Sequence, residues 1–524
     1  MEPGAVEGEG AGGAPAPSAR PATPLPEAPF RSPALAALDA VARALLAPGS
    51  WALDRLLDLR PTTAERERRR RGPCGWCRGC AAWALAGPVL AALLLLSLPL
   101  TALGLLLWLP LQAARSPFLY QRTAAAPAEP WDLRQPRTFT FVSANLCLLP
   151  SGLAKFSNLG RTPQRAADIA RRLVPTTSGP DSDRAGLVGP RPRRASGYGG
   201  TVRAGRSVAL DVAEPEAAAE EPGPPEPEPP LSERFPPDAD VLCLQEVFDG
   251  AAAARLRRRL GRAFPHVISE VGTAGLRRGR LRLLGSGLLL ASRFPVLAAA
   301  FRGFPNGARE DAAADKGLLM VQVQLGSARR GRIVGYLGCT HLQAPAGDGA
   351  VRDAQLRLAL RWLQRFQQEQ ARGGDLVAFD VLCGDLNFDN CSRGDQLNQR
   401  HQLFELYQDP CRQGPGQDEP WAIGTLLNYL EIYEEPVSTP EKMKRTLSTP
   451  GGRCRFLAGP ILASGHPDTA FPGPCRGRRV DYAVFRPRPP LRTDVAAVSF
   501  ITCLATCSDH LPVALSLHVG PGAP

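Results

Sequence analysis

The sequence predicts an α/β sandwich, two packed mixed β-sheets with helices on the outside, and three observations lead there. First, from Thr138 onward strand-like runs (FTFVSAN, DVLCLQEV, SGLLLASRFPV, GLLMVQVQL, RIVGYLGCTHLQ, LVAFDVLCGDLN, VDYAVF and VSFITCLATC) alternate with helix-like ones. Second, the helix-like runs, residues 161–173, 251–264 and 353–369, fall between strands, and the last is amphipathic, with Leu356, Leu358, Leu360, Trp362 and Leu363 as its apolar residues. Third, six apolar runs each end in a short polar cluster. In order these are FVSAN with Asn145, VLCLQE with Glu246, CTHLQA with His341, CGDLNFD with Asp385 and Asn387, RRVDYAVF with Asp481, and SDHLPV with Asp509 and His510. Chance rarely places carboxylates, amides and two histidines at six strand ends in succession.

The elements follow from the N-terminus. Residues 1–31 are Gly, Ala, Pro and Glu without periodicity and are expected to be disordered, and Glu2, Glu7 and Glu9 argue against a secretory signal or transit peptide. Residues 32–60 read as amphipathic helices on a membrane surface. Ser32 is an N-cap, Pro33 takes the first helical position, and Leu35, Leu38, Val41, Leu45 and Leu46 recur at helical spacing. Pro48 and Gly49 are expected to stop that helix before a second apolar stretch from Trp51 to Leu59. Residues 61–80 form an Arg- and Cys-rich juxtamembrane segment. Its Cys74, Cys77 and Cys80 have a spacing that suggests zinc, but no fourth Cys or His follows nearby. Between an Arg run and an apolar segment they suit S-palmitoylation, with plain free thiols as the alternative.

Residues 81–112 are a hydrophobic membrane segment, uncharged and longer than the roughly 20 apolar residues a bilayer requires. The arginines at 66–71 would keep the N-terminus cytosolic. A straight span then carries the rest of the chain to the far side, whereas a re-entrant hairpin bent at Pro99 keeps it cytosolic, as the scattered cysteines favour. Residues 113–137 read as a linker and 138–520 as the main domain. That domain is interrupted by a disordered insertion at 175–237, basic in its first half and acidic in its second, which lacks the apolar residues to order itself.

Composition narrows the partners. The net charge of +12 favours phosphate groups, anionic lipid or nucleic acid, and nearly all the basic residues are Arg, which grips phosphate through paired hydrogen bonds. The 13 cysteines are odd in number, and Cys147, Cys243 and Cys383 lie in apolar strands, so a disulfide framework is not expected and a reducing compartment is.

The polar clusters hold the residue types that phosphodiester cleavage needs: an activated water, charge neutralisation on phosphoryl oxygens, and support for the leaving oxygen. Glu246 is either a solvated strand end or a hard-oxygen ligand for Mg²⁺. Asn145 would add a carbonyl ligand or hold that carboxylate. Asp385 and Asn387 share a face if the strand stays extended, one orienting water and the other a phosphate oxygen, with a turn cap as the plain alternative. His510 is suited to take a proton from water, with Asp481 as its orienting carboxylate, because sequence neighbours such as Asp509 rarely face each other; Asp509 would face the metal. His341 would donate a hydrogen bond to the phosphate or leaving oxygen, or be a structural histidine.

The set Asn145, Glu246, His341, Asp385, Asn387, Asp481, Asp509 and His510 resembles the endonuclease/exonuclease/phosphatase superfamily over roughly residues 138–517, less the insertion. Within it THLQA, GDLNF and SDHLPV look like the neutral sphingomyelinases, and the hydrophobic N-terminal region looks like their membrane-bound vertebrate branch. The resemblance implies a DNase I-like four-layer α/β sandwich and a Mg²⁺-dependent (or Mn²⁺-dependent) phosphodiesterase that cleaves sphingomyelin to ceramide and phosphocholine. It implies that Glu246, Asn145 and Asp509 serve the metal and that His510, Asp481, Asp385, Asn387 and His341 are catalytic. Asp311 and Lys316 in EDAAADKG match an aspartate–lysine switch of that branch, and anionic phospholipids are implied as activators at a mitochondrial or endoplasmic reticulum membrane, with Golgi and plasma membrane also compatible. A Mg²⁺-dependent nuclease or inositol-phosphate phosphatase of the same superfamily is the alternative, and a catalytically dead membrane scaffold a further one. The apolar segment and the lack of a basic groove-filling helix speak against nucleic acid.

Overall fold

The strand Arg137–Leu148 shows how the sequence makes this fold. Phe139 and Phe141 turn to one side, Val142, Ala144, Leu146 and Leu148 to the other, and all six are buried, so both faces of its sheet must be covered. The computed structural model describes residues 24–71, 75–126, 128–174, 227–277, 280–328 and 331–522, without the side chains of 71–83 and 277. In it the strand lies inside an eight-stranded sheet, in the order Leu119–Arg122, His266–Ser269, Leu289–Ser292, Val241–Val247, Arg137–Leu148, Val513–Pro521, Leu491–Ile501 and Leu231–Ser232. Facing it is a five-stranded sheet in the order Asp481–Phe485, Leu376–Asp385, Gly331–His341, Gly317–Ala328 and Val296–Gly303. Both sheets mix parallel and antiparallel pairs.

Between the sheets Phe379 meets Phe139 and Phe141 edge to face, with centroids 5.2 and 4.8 Å apart. Helices Thr162–Leu173 and Gly250–Leu260 cover the outer face of the large sheet. Helix Gly349–Gln370, the crossover between the parallel strands Gly331–His341 and Leu376–Asp385, covers the outer face of the small one through Leu356, Ala359, Leu363 and Phe366. The result is four layers, as the resemblance implied.

Ahead of the sandwich stand three helices, α1 (Pro33–Asp58), α2 (Thr63–Arg71) and α3 (Gly75–Leu111). Residues Ala84–Ala114, with a mean hydropathy of 2.5, are long and apolar enough to cross a membrane, and Leu85, Leu95, Leu96 and Leu106 are exposed on the protein. α1 and α3 run antiparallel in close contact, because Gly49 faces Thr101 and Gly104 faces Leu46 with no room for a Cβ. Gln112 donates to Asp39 Oδ1 at 3.2 Å at one end of this pair. Among the described residues the pair meets the sandwich near two helix ends. Near the C-terminus of α1, Gly152 N–H donates to Asp54 Oδ1 at 2.7 Å; at the C-terminus of α3, Gly275 packs on Gln112.

Several expectations are corrected. α1 continues through Pro48 instead of stopping there, because a proline with a helical φ costs a hydrogen bond that packing against α3 outweighs. α3 is likewise continuous through Pro99, so it forms no hairpin at that residue. Residues 24–31 of the expected disordered terminus are packed: Phe30 is buried, and Pro26 and Pro29 carbonyls accept from Tyr120 and Ser116. The expected linker at 113–137 supplies the edge strand Leu119–Arg122 and the buried Trp131. The expected insertion closes early, since Leu231–Ser232 pairs with Phe500 and Ile501 and Phe235 is buried. The run SGLLLASRFPV splits into two strands, one in each sheet. Cys454 and Cys475 form a disulfide, where none was expected, while Cys147, Cys243 and Cys383 are free and buried. Cys74, Cys77 and Cys80, with the modification expected of them, lie outside the described side chains.

Candidate active site

The site is the polar end of the space between the two sheets. On the five-stranded sheet, strand register alone aligns three residues. His341 pairs with Asp385 and Asp385 with Asp481, and their side chains share the inward face that Cys339, Cys383 and Ala483 occupy one pleat deeper. A row that would otherwise be core is thus two carboxylates and an imidazole, each at most 1 % exposed.

The eight-stranded sheet supplies its residues by breaking the alternation. From Val241 and Cys243 the pattern turns Gln245 inward and Glu246 outward. Glu246 instead takes a left-handed φ of 57°, which re-aims it so that Asn145 Nδ2 donates to its Oε1 at 2.9 Å. The same amide donates to Asp385 Oδ2 at 2.9 Å, and Asn145 Oδ1 accepts from the Cys147 N–H. Asn145 thus holds both carboxylates, one of the two uses expected for it. Asn387 is also left-handed, at φ 56°, so the strand does not stay extended and the shared face expected of Asp385 and Asn387 is lost. Asp385 Oδ1 instead accepts the Asn387 N–H at 2.9 Å, and the Asn387 amide donates to Leu342 O.

His510 completes the cluster. Its Nδ1 donates to Asp481 Oδ2 at 2.8 Å, and its Nε2 stands 3.9 Å from Asp385 Oδ2. Asp481 is itself held by Thr425, whose Oγ1 accepts its N–H. Asp509 sits close enough to Glu246 to push that carboxyl upward, and its Oδ1 is buried without a hydrogen-bond partner. Lys316 Nζ reaches His341 Nε2 at 3.0 Å, Leu342 O at 3.0 Å and Asp311 at 2.9 Å, so the two expected switch residues are paired and both bear on the site.

Burial sets the electrostatics, and charge neighbours modify it. Burial raises Asp385 to about 7, relieved by His510 and reinforced by Asp481. Burial, then Asp509, raises Glu246. Burial, then Lys316, holds His341 well below the usual histidine range, so it is neutral and accepts from Lys316. Burial would depress His510 too, but the carboxylates of Asp481, Asp385 and Asp509 outweigh it and hold the imidazole well above 6.5. Two groups, Glu246 with His341 and Asp385, and Asp385 with Asp481 and His510, bring ligand atoms close enough to share a metal ion. The unpartnered Asp509 Oδ1 and the clustered carboxyls are what a hard divalent cation would satisfy.

Two supporting residues escaped the sequence reading. Arg165 is buried and donates to Gly160 O, Cys147 O and Cys507 O at 2.8–2.9 Å, tying the chain after Asn145 to the chain before Asp509. Ser508 Oγ donates to Asn145 O at 2.8 Å and accepts the His510 N–H. Ser508 stood in the SDHLPV motif; nothing in helix 162–173 singled out Arg165. The basic run at 478–488 is partly structural, since Arg478 pairs with Asp389 and Asp395 and Arg479 with Asp409 and Asp418, all buried.

Comparison with known proteins agrees with this arrangement. Residues 34–114 match the neutral sphingomyelinase N-terminal transmembrane region, and residues 226–510 match the endonuclease/exonuclease/phosphatase family. The chain is 42% identical to sphingomyelin phosphodiesterase 5 of Mus musculus over 95% of its length and 96% of the relative's. It is 38% identical to sphingomyelin phosphodiesterase 5 of Danio rerio (94% and 98% covered) and 34% identical to sphingomyelin phosphodiesterase 3 of Homo sapiens (94% and 98%). The four-layer sandwich, the polar end between its sheets and the apolar helices before it therefore belong to a neutral sphingomyelinase, a member of the endonuclease/exonuclease/phosphatase family with an N-terminal transmembrane region.

Proposed function

We propose that the protein is a Mg²⁺-dependent sphingomyelin phosphodiesterase that releases phosphocholine and leaves ceramide in the membrane. The observation that carries this reading is the His510–Asp481 pair beside Asp385, which on its other side adjoins Glu246 and the neutral His341, all at one end of the sandwich. Glu246, with Asp509, would hold the ion, positioned by Asn145; Mn²⁺ suits the same oxygen donors. Bound there, the ion would polarise the phosphoryl oxygens and lower the cost of charge on them.

The chain's own residues do the rest. Asp481 fixes the imidazole so that His510 Nε2 faces Asp385 and the space where water attacks. Burial favours the neutral imidazole that accepts the proton from water, while the carboxylates beside it, Asp481 foremost, favour its protonated form. Asp385, at about 7, and Asn387 orient that water and a phosphate oxygen. His341 faces the phosphate, and Lys316, shared between Asp311 and His341, sets whether that imidazole is free to do so.

Membrane attachment follows from the transmembrane region. The exposed arginines of α2 support anionic phospholipids as activators, each contributing about 1 kcal/mol near such a surface. A mitochondrial or endoplasmic reticulum membrane is the proposed location.

The test is phosphocholine release from sphingomyelin in mixed micelles containing anionic lipid, with Mg²⁺ or with EDTA, beside plasmid cleavage by the same preparation. Mg²⁺-dependent release with intact DNA is expected; cut DNA with intact lipid would replace this reading with the nuclease.

A further inference from the structure

Soluble domains rarely expose clustered large apolar side chains, and this sandwich does so in two places beside its site. One is the hairpin formed by Gly275–Arg277 and Arg280–Arg282 with the residue that follows it, where Leu276, Leu281 and Leu283 are exposed. The other is the neighbourhood of Phe156, Tyr429 and Leu430. All six are between 46 and 67 % exposed.

Both clusters are tied by backbone hydrogen bonds to segments that carry site residues. Leu283 and Leu284 N–H groups donate to Ala313 O, two residues after Asp311. Leu427 N–H donates to Asp509 O, and Leu426 bridges His510, so Tyr429 and Leu430 lie just beyond the general-base loop. Asn158, two residues after Phe156, donates to Tyr429 O at 2.7 Å and so joins the halves of the second cluster.

Each cluster also adjoins one of the two points where the transmembrane region meets the sandwich. Gly275, at the base of the hairpin, packs on Gln112 at the end of α3. Arg60, just past α1, lies over the Phe156 ring at 5.2 Å, and Thr63 N–H donates to Asn158 Oδ1. The surface is therefore continuous with the apolar helices already assigned to the membrane. Its chemistry is that of an interfacial anchor: leucines and aromatics, with Arg60 exposed beside Phe156 to meet headgroups.

We propose that these two clusters are bilayer-inserting anchors on either side of the active-site mouth. They enter the headgroup–acyl boundary and hold the mouth against the lipid surface, so that a lipid headgroup enters without leaving the membrane. The proposal rests on membrane attachment and not on which lipid is cleaved.

The experiment uses the full chain reconstituted in phosphatidylcholine–phosphatidylserine vesicles. An environment-sensitive fluorescent amino acid replaces Leu281, Leu430 or, as a control on a remote strand, Val495. Vesicles carry lipids with a nitroxide quencher high on the acyl chain. Quenching of about half or more of the emission is expected at 281 and at 430, and none at 495. Absence of quenching at either loop position overturns the proposal, and absence at both with concentration-dependent self-association would assign the patch to a second copy. As a second readout, Leu281→Glu combined with Leu430→Glu is expected to lower hydrolysis of vesicle-embedded sphingomyelin about tenfold or more while leaving a water-soluble phosphodiester unaffected. Equal loss on both substrates would mean that the leucines support the site itself, which also overturns it. If the unmodified protein cleaves neither substrate, the phosphodiesterase reading fails, and the quenching still decides the anchors.

Discussion

The two sheets contribute to the site in opposite ways. The five-stranded sheet presents His341, Asp385 and Asp481 side by side in strand register, so ordinary β-geometry places them. The eight-stranded sheet delivers Asn145, Glu246, Asp509 and His510 through bends, with left-handed residues at Cys147, Glu246 and Thr506. That side needs tethers: Arg165 bonds to Cys147 and Cys507, and Ser508 bonds to Asn145 O. One half is positioned by a lattice of backbone hydrogen bonds, the other by a few buried side chains holding a strained backbone. Substitutions on the lattice side should change chemistry without changing stability, whereas those in the tethers should change both.

The largest expected effect is on the lattice side. Asp481→Asn keeps the shape and removes the charge beside His510, and should lower turnover by about 10³–10⁴-fold with the melting temperature nearly unchanged. Turnover within tenfold of the unmodified protein would remove His510–Asp481 as the working pair. On the bent side, Glu246→Gln should lower turnover by about 10²–10³-fold and abolish Mg²⁺ binding measured calorimetrically. Undiminished Mg²⁺ binding would move the ion to other ligands.

The next effect separates the two halves. Arg165→Ala leaves three carbonyls without their donor and should destabilise the fold by about 3–4 kcal/mol, with activity reduced even well below the melting point. A stable variant would show that the bent half holds itself.

The smallest expected effect lies away from the site, where Asp240 accepts the Thr140 N–H at the far end of the same strands. Burial raises its carboxyl to about 6. A raised folded pKa favours the protonated form, so this group's contribution is full below the ordinary carboxyl value near 3.9 and is lost as pH rises through about 6. Asp240→Asn should therefore flatten the fall in stability between pH 4 and 7 by about 2 kcal/mol, read from urea midpoints at the two pH values. An unchanged difference would place the pH dependence elsewhere.

The sequence by itself determined the sandwich and which polar residues gather at its end. Apolar alternation at a period of two is strong in strands buried on both faces, and each of those strands ends in a polar residue that no core would tolerate unless it faced an open end. His341, Asp385, Asp481 and His510 were legible for that reason. Tertiary structure alone decided what lies beyond local pattern. The left-handed turn at Glu246 is accompanied by a hydrogen bond from Asn145, distant in sequence, whereas the turn at Asn387 is capped locally by Asp385, the alternative that the sequence offered to an extended strand. The continuity of α1 through Pro48 depends on α3. The packing of residues 24–31, of the strand Leu119–Arg122 and of Leu231–Ser232 depends on edges that other strands provide. The tether by Arg165 is a contact across 342 residues to Cys507. A local pattern records which face a side chain prefers, but not which distant partner will fill the space it turns to.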